Sequence, residues 1–561
     1  MSARRGILSS ILVVAALVLS ACAGLPTGGP VNEGREAGTD AGTPDFSFVP
    51  DRPQPGSSPE QIVEGFIRAG SGPGPGADWE TARLFLAPSI RETWLPEASV
   101  TVDLLGDRQY AAPTTGAVSL SLVSVATIDA AGSYEPSDAV ETTLGFELAQ
   151  QDDGEWRITE APDGIVLDRD NFARVFHRYS LMYFDPTWQY LVPDVRWFAA
   201  TNSAARITAA LVDGSPSSWL AESVLNAFPE SVEAQPSVPV ESGIAQVQLS
   251  ANALNLDQAT LNRMQTQLTA SLATASVAGA QMSVASAPLT AEPVSTRSTR
   301  VTGPPLVETA DGFGFLSGDE LTPIAGLSDT MTSLAPRPVS IQVSAQRDLA
   351  AVRLADGSVA RVTADGDVTI VDARPGLVDP SVDAQGFVWS VPRDRPTDVE
   401  VFSGTDRLPV AAAWPGATQI TAMAVSRDGT RVAALVQSGG TPSVWIAGIV
   451  RDAENQPLRL GAPIVLGAVA ETGTGIAWVD DTTVGVLSVT PENSMVTEQL
   501  VGGPSTSTDA PGAAVAIAGA TSVSTVRLRA DDGSLYVKRG SNWARTAIGI
   551  LVLATQQGSP G

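Results

Sequence analysis

The sequence predicts a multidomain protein in which α+β domains precede an all-β domain. A capped amphipathic helix at residue 59 is followed by strands with two-residue alternation up to residue 167. A second pattern of helices and strands occupies residues 178–290. From residue 295 to 557, short strands and turns recur with a period of roughly 40 to 50 residues, which is typical of a β-propeller.

Residues 1–21 have the pattern of a secretory signal peptide. An arginine pair at 4–5 precedes an uncharged apolar segment at 7–19, which is too short to cross a bilayer core of roughly 30 Å. The chain's one cysteine, Cys22, follows the small residues Ser20-Ala21. A single cysteine excludes an internal disulfide and a multi-cysteine zinc site. An ordinary signal peptide that happens to contain a cysteine is the alternative interpretation.

Leu19-Ser20-Ala21-Cys22 resembles the lipobox of bacterial lipoproteins. The resemblance implies that Cys22 is lipidated, with palmitate among the acyl chains, and that it anchors the mature chain to the outer face of the cell membrane. Two or more acyl chains hold a protein stably, since each buried methylene contributes about 0.8 kcal/mol. Residues 22–58 then read as a tether, because 13 of the 36 residues after the cysteine are Gly or Pro. Such a coil spans about 33 Å.

Charge limits the partners that this chain can take. With 61 acidic and 34 basic residues, its formal net charge is −27. A field of this sign argues against binding nucleic acid and against electrostatic adsorption to anionic lipid.

Residues 59–170 predict an N-terminal α+β domain. Ser58-Pro59-Glu60-Gln61 is a capping box with proline at the first helical position, and an apolar stripe follows from Ile62 to Ile67. A second helix is predicted over Trp79–Leu86, and strands separated by turns run from Ser99 to Leu167. Helices before an antiparallel sheet favour an NTF2-like fold.

Residues 178–290 predict a central α+β domain. Its predicted elements are strands at Leu181–Pro186 and Tyr190–Arg196, a helix at Ser203–Val212, a strand at Ile244–Ser250, a helix with Leu261, Met264, Leu268 and Leu272 on its packed face, and a final strand that begins at Val284. The 263 residues from 295 to 557 then hold about six propeller blades. No Trp-Asp dipeptide occurs, so the WD40 subclass is not supported.

This order of parts resembles the LpqB lipoproteins of actinobacteria. The resemblance is carried by the lipobox, the helix from Pro59, Tyr183-Phe184-Asp185-Pro186 with Tyr190-Leu191-Val192-Pro193, and Gly214–Leu220. The middle segment is similar to the GerMN module of spore-germination lipoproteins. The resemblance implies a regulatory role: binding of the extracytoplasmic part of the sensor kinase MtrB, and modulation of MtrA–MtrB two-component signalling for cell-envelope and division functions.

The sequence predicts no catalytic residue, no cofactor site and no metal site. His177 is the only histidine, and nothing beside it in the sequence indicates a special role. Paired carboxylates occur at Asp152-Asp153, Asp365-Gly366-Asp367, Asp480-Asp481 and Asp531-Asp532. They indicate tight turns, with an envelope-glycan hydrolase as the alternative.

Aromatic residues leave a second alternative open. Tyr183, Trp188, Tyr190, Trp197 and Trp219 concentrate in the central domain, while Trp389, Trp445 and Trp478 recur in the propeller. We expect most of them in the core, but those of the central domain could line a groove for glycan or peptide. A passive scaffold with cell-wall contact is therefore a further possible function.

Overall fold

The computed structural model describes residues 50–74, 78–469, 472–489 and 493–560. This part of the chain is mostly strands with few helices, and its sheets fall into three regions along the chain. The signal peptide, Cys22 and residues 22–49 of the tether lie outside the described residues. The predicted domain boundaries stay predictions, whereas the multidomain α+β and all-β fold class is confirmed.

The N-terminal region packs a helix against a six-stranded sheet. Its elements are α1 (Pro59–Ala69), α2 (Glu80–Arg83), α3 (Pro88–Arg91), β1 (Ser99–Asp103), β2 (Gln109–Thr114), β3 (Ala117–Asp129), β4 (Tyr134–Gln150), β5 (Trp156–Glu160), β6 (Ile165–Asp168) and α4 (Arg169–Val175). The sheet order is β5-β4-β3-β1-β6, with β2 also on β3. The capping box at Ser58 is present, and Ile62, Val63, Phe66 and Ile67 are buried as predicted.

Two elements of this region differ from the prediction. The second helix covers only Glu80–Arg83. Trp79 precedes it in a left-handed conformation with a φ of 54°, and beyond its end Phe85 and Ala87 form backbone hydrogen bonds with Ile158 of β5 instead. Helix α4 was not predicted; the side chain of Asp168 accepts a hydrogen bond from the Asn171 backbone and caps it.

The central region is built on a hairpin and a parallel pair of strands. Its elements are β7 (Phe176–Phe184), β8 (Leu191–Ala199), α5 (Ser203–Val212), β9 (Val240–Glu241), β10 (Ile244–Leu249), α6 (Gln258–Ala273), β11 (Gly279–Val284) and β12 (Ala287–Pro288). Strands β10 and β11 are parallel, and α6 connects them. The prediction of a strand that begins at Val284 was wrong: β11 ends there, since Ala285 and Ser286 take left-handed conformations.

Within the described residues, the C-terminal region forms six small sheets, whose strands are antiparallel except for one parallel pair in the second sheet. Its first elements are β13 (Leu306–Thr309), β14 (Gly312–Ser317), β15 (Glu320–Thr322), α7 (Leu327–Ser333), β16 (Pro338–Val343), β17 (Leu349–Leu354), β18 (Val359–Thr363), β19 (Val368–Asp372), β20 (Ser381–Val382), β21 (Val388–Ser390), β22 (Glu400–Ser403) and β23 (Asp406–Pro409). The seven-residue helix α7 interrupts a region in which no helical period was expected.

The remaining strands form the fourth, fifth and sixth sheets and, at the end of the chain, complete the first and second. They are β24 (Gln419–Val425), β25 (Arg431–Ser438), β26 (Thr441–Arg451), β27 (Pro457–Leu460), β28 (Ile464–Ala468), β29 (Thr472–Trp478), β30 (Thr483–Val489), β31 (Ser494–Leu500), β32 (Ser505–Asp509), β33 (Ala514–Ala518), β34 (Arg527–Ala530), β35 (Leu535–Arg539), β36 (Asn542–Ala547), β37 (Val552–Leu553) and β38 (Thr555–Gln556).

The two ends of this region are joined by hydrogen bonds. Strand β37 pairs with β13 of the first sheet, and β38 pairs with β16 of the second. One strand from each sheet contacts the next sheet in the order β37, β16, β20, β24, β29, β33, and β33 contacts β37. Six sheets arranged in this way form a propeller-like domain and agree with the expected six or so blades.

Candidate functional site

Most of the aromatic residues that the sequence singled out are core residues. Tyr183 is fully buried, and Tyr190, Trp197 and Trp219 are at most 9% exposed. In the propeller-like region, Trp389 and Trp478 are buried and Trp445 is partly buried. Trp188, in the loop between β7 and β8, differs from the rest of the central set because it is only partly buried.

A buried carboxylate builds the loop that carries Trp188. Asp185 is fully buried, and its oxygens accept hydrogen bonds from the backbone N–H of Thr187 at 3.0 Å, of Gln189 at 2.7 Å and of Tyr190 at 2.6 Å. The hydroxyl of Thr187 donates to the same carboxylate. Trp188 itself has a φ of 59°, a conformation that costs free energy in a bulky residue and is held by these bonds.

Trp188 is held by contacts with two side chains. The guanidinium of Arg263 on α6 lies 4.1 Å from the centre of the indole ring, and the ring of Phe184 lies 5.0 Å away. The backbone N–H of Arg297 donates to the Gln189 carbonyl at 2.7 Å, which ties the loop to the segment that leads into the propeller-like region. A rigid indole beside a guanidinium is suited to a protein or peptide partner, because Trp and Arg dominate binding hot spots.

Trp197 connects the three regions. Its backbone N–H donates to the Gly132 carbonyl of the N-terminal region at 2.8 Å, and its ring lies 4.9 Å from that of Phe172. Its Nε1–H donates to the carbonyl of Gly502, between β31 and β32, at 2.8 Å. Trp197 therefore lies in the central region and contacts both the N-terminal and the propeller-like regions.

A buried ion pair lies where the central region meets the fourth and fifth sheets. Arg431 and Asp428 are each 1% exposed, and their charged atoms are 2.5 Å apart. Arg431 also donates to the Pro193 carbonyl of β8 at 3.5 Å, and its guanidinium lies 4.7 Å from the Trp478 ring. Burial opposes ionisation of Asp428, but the charge of Arg431 and several hydrogen bonds lower its pKa below the usual value.

The segment that connects the central and propeller-like regions is held by two buried arginines. Arg427 donates to the Thr299 carbonyl at 3.4 Å and to the Ala520 carbonyl at 3.1 Å, while Arg527 donates to the Gly303 carbonyl at 2.7 Å. Burial, aided by the charge of Arg427, lowers the pKa of Arg527 to about 10. These hydrogen bonds therefore hold the segment that connects the central and propeller-like regions against the fourth and sixth sheets.

Close backbone contact completes this junction. A Cβ at Gly448 on β26 would meet Ser223 Oγ and would lie 2.9 Å from the Trp219 carbonyl, so only glycine fits. Arg459 on β27 pairs with Glu222 at the edge of the same contact. The central region thus rests directly on the fourth sheet.

The acidic pairs lie at turns, which confirms the turn interpretation of these sequences. Gly154, Gly366 and Gly533 have φ values of 83°, 92° and 79°, as tight turns with glycine require. Asp153 and Asp532 accept hydrogen bonds from the backbone two residues later, at 3.0 Å and 2.8 Å, and Asp480 accepts one from Thr482 at 2.9 Å.

The other predicted site residues take no part in these clusters. His177 is exposed on β7, opposite Phe198 on β8, and Cys22 stays a prediction. Within the described ranges, no three His, Cys, Asp or Glu side chains are grouped to hold a metal ion. No helix in the described part of the chain is both long and apolar enough to cross a membrane.

Sequence reasoning missed the structural roles of Asp185, Arg427, Asp428 and Arg431. Asp185 was expected in the strand Leu181–Pro186, and the other three lay among the recurring short strands and turns of residues 295–557. The available signal was the density of charge in Ser426-Arg427-Asp428-Gly429-Thr430-Arg431, which follows an apolar strand. Nothing in that run indicates which distant segment would cover it.

Comparison with family models assigns the three regions. Residues 52–173 match the N-terminal domain of lipoprotein LpqB, residues 180–290 match the Germane domain of sporulation and spore germination, and residues 310–550 match the β-propeller domain of lipoprotein LpqB.

Curated relatives carry the same name. Lipoprotein LpqB of Thermobifida fusca is 32% identical over 45% of this chain and 42% of its own length, so the chain spans less than half of that relative. Lipoprotein LpqB of Bifidobacterium longum is 25% identical over 79% of this chain and 78% of its own length. These names indicate lipoproteins and state no catalytic activity. The solved structure of TolB from Acinetobacter baumannii is 12% identical, with a TM-score of 0.33, over 57% of this chain and 80% of that chain.

Proposed function

Because the chain belongs to the LpqB lipoproteins, we propose that it is a lipid-anchored accessory protein on the outer face of the cell membrane. It binds the extracytoplasmic part of an MtrB-like sensor kinase and modulates two-component signalling for cell-envelope and division functions. Its role is non-enzymatic. The observation that carries the proposal is the succession of the three matched domains from residue 52 to residue 550.

The junctions between the regions support this role. A partner changes a kinase's signalling only if it binds one kinase state more tightly than the other. Trp197 and the buried arginines Arg427 and Arg527 hold the three regions at fixed positions. A body whose contact points are fixed can discriminate two kinase conformations, because only one of them matches its spacing.

The loop with Trp188 is the contact that we assign to the kinase. The hydrogen bonds to Asp185 set the shape of this loop before any partner binds, so binding costs little conformational entropy. Trp188 and Arg263 supply the residue types that dominate hot spots. The chain's net charge of −27 favours a partner that is basic overall, while Arg263 at the contact itself favours an acidic or aromatic group there.

In-cell photocrosslinking tests the proposal. A photoreactive residue at Gln189, exposed beside Trp188, is expected to capture the outer domain of the kinase, whereas one at the exposed Gln109 of β2 serves as the matched control. Trp188→Ala is expected to weaken binding of the purified outer domain by about 2 kcal/mol, or roughly 30-fold.

Two results contradict the proposal. One is capture of wall enzymes or transporters alone, together with unchanged kinase signalling in a deletion strain. The other is sedimentation of the protein with isolated cell wall without any signalling effect, which would instead identify a passive scaffold.

A further inference from the structure

A pocket opens in the N-terminal region beside helix α1. Its cavity volume is about 110 Å³, and α1, β1, β4, β6 and the turn before β6 line it. Phe66, Trp94, Phe146 and Ile165 supply apolar walls, while Asp163 supplies a carboxylate. This pocket is distant in sequence from the Trp188 loop and has no part in the function proposed above.

The aromatic walls of the pocket pack against one another. The ring of Phe66 lies 5.1 Å from that of Trp94 and 6.1 Å from that of Phe146, in tilted and edge-on orientations. An apolar cavity of roughly 150 Å³ is large enough to take up benzene. The present pocket is smaller and open at one side, so it fits a single ring or a short alkyl chain whose polar end stays at the mouth.

Asp163 determines the charge of that polar end. The residue is exposed, and one carboxylate oxygen accepts a hydrogen bond from the Leu95 backbone at 2.9 Å. Within the described residues its other oxygen has no hydrogen-bond donor and no ion-pair partner. A carboxylate in an open pocket of a chain with net charge −27 attracts cations and repels anions.

We infer that this pocket binds a small primary amine that carries one ring or a short alkyl chain. The ammonium group bonds to the free oxygen of Asp163, and the apolar part lies against Phe66, Trp94 and Phe146. The inference goes beyond the kinase-binding role and does not depend on it.

Ligand-detected saturation-transfer NMR on the full chain tests the charge requirement. The probes are benzylamine, benzyl alcohol and benzoate, which share one ring and differ in the head group. We expect benzylamine to bind most tightly and benzoate not to bind. Asp163→Asn keeps an oxygen for the Leu95 N–H and is expected to weaken benzylamine about fivefold, the upper range for an exposed ion pair, without changing benzyl alcohol.

A pocket-filling variant tests the location. Gly70 lines the pocket with a φ of −58°, which any residue adopts, and a Cβ there would lie 3.1 Å from the Ile67 carbonyl oxygen and 3.5 Å from Ile165 Cβ. Gly70→Leu is therefore expected to abolish binding of benzylamine. Gly145→Leu on β4 is the matched control, since a Cβ at Gly145 meets nothing within 4 Å.

Two results would overturn the inference. One is equal binding of the three probes to the unaltered chain. The other is benzylamine binding that survives Gly70→Leu in a folded protein. If circular dichroism shows that Gly70→Leu does not fold, the comparison of Asp163→Asn with the unaltered chain decides alone.

Discussion

Replacing Trp197 should separate the three regions rather than merely weaken one of them. The side chain is 6% exposed and packs on Phe172, and its ring N–H donates to Gly502. Trp→Ala in a core costs about 3–5 kcal/mol, of which the lost hydrogen bond is about 1 kcal/mol. Because the partners of Trp197 belong to different regions, we expect the substitution to weaken the contacts between regions more than the stability of any one region.

Limited proteolysis and urea unfolding together measure the effect of Trp197→Ala. We expect faster cleavage where the regions meet, at the boundary of α4 and β7 near residue 175 and in the segment 295–305, at urea concentrations where each sheet stays folded. Trp156→Ala is the control, since Trp156 packs partly buried against the same core cluster but away from the junction. Trp197→Phe keeps a ring and loses the hydrogen bond, so its cost should be about 1–2 kcal/mol.

The reasoning is refuted if Trp197→Ala and Trp156→Ala give the same cleavage pattern. It is equally refuted if Trp197→Ala lowers the free energy of unfolding by less than about 1 kcal/mol, the value expected from the hydrogen bond alone.

Further substitutions test the other contacts. Asp185→Ala removes the acceptor of four hydrogen bonds and should cost about 2–4 kcal/mol in urea denaturation. Gly448→Ala should cost about 1–3 kcal/mol, and Ser223→Gly should recover part of it; a double-mutant cycle without coupling would contradict the close contact. Arg431→Met leaves Asp428 buried and unpaired and should cost about 3–5 kcal/mol. Since the folded-state pKa of Asp428 is lowered, its stabilisation is present above a pH of about 4 and is lost as the pH falls through the folded value. The stability difference from Asp428→Asn should therefore shrink on acidification, and a constant difference down to low pH would disprove the pairing.

Local signals in the sequence predicted elements wherever neighbouring residues decide the structure. The helix Ser203–Val212 was predicted with its observed bounds, and the capping box at Ser58 is present with both of its hydrogen bonds. Both depend on groups within four residues of one another. The strand periods and turn residues of the propeller-like region are local in the same way.

Conformations and contacts set by distant residues could not be predicted. The helix predicted over Trp79–Leu86 stops at Arg83, because Phe85 and Ala87 form backbone hydrogen bonds with Ile158 of the distant strand β5. Arg431 and Pro193 are 238 residues apart. No pattern in either segment specifies the other, so the junctions became visible only in the structure.

The turn at Asp428 nevertheless shows that burial by a distant region can be detected in the sequence. Asp356-Gly357-Ser358, Asp428-Gly429-Thr430 and Asp532-Gly533-Ser534 are local equivalents, since in each the aspartate accepts from the N–H two residues later, at 3.0, 2.9 and 2.8 Å. Asp356 and Asp532 are exposed, whereas Asp428 is buried beneath the central region. The buried turn is followed by Arg431, where the other two continue with an apolar residue. A carboxylate withdrawn from water needs a fixed cation, and the strand after this turn supplies it. An arginine at this position thus distinguishes the turn that another region covers from the turns that face solvent.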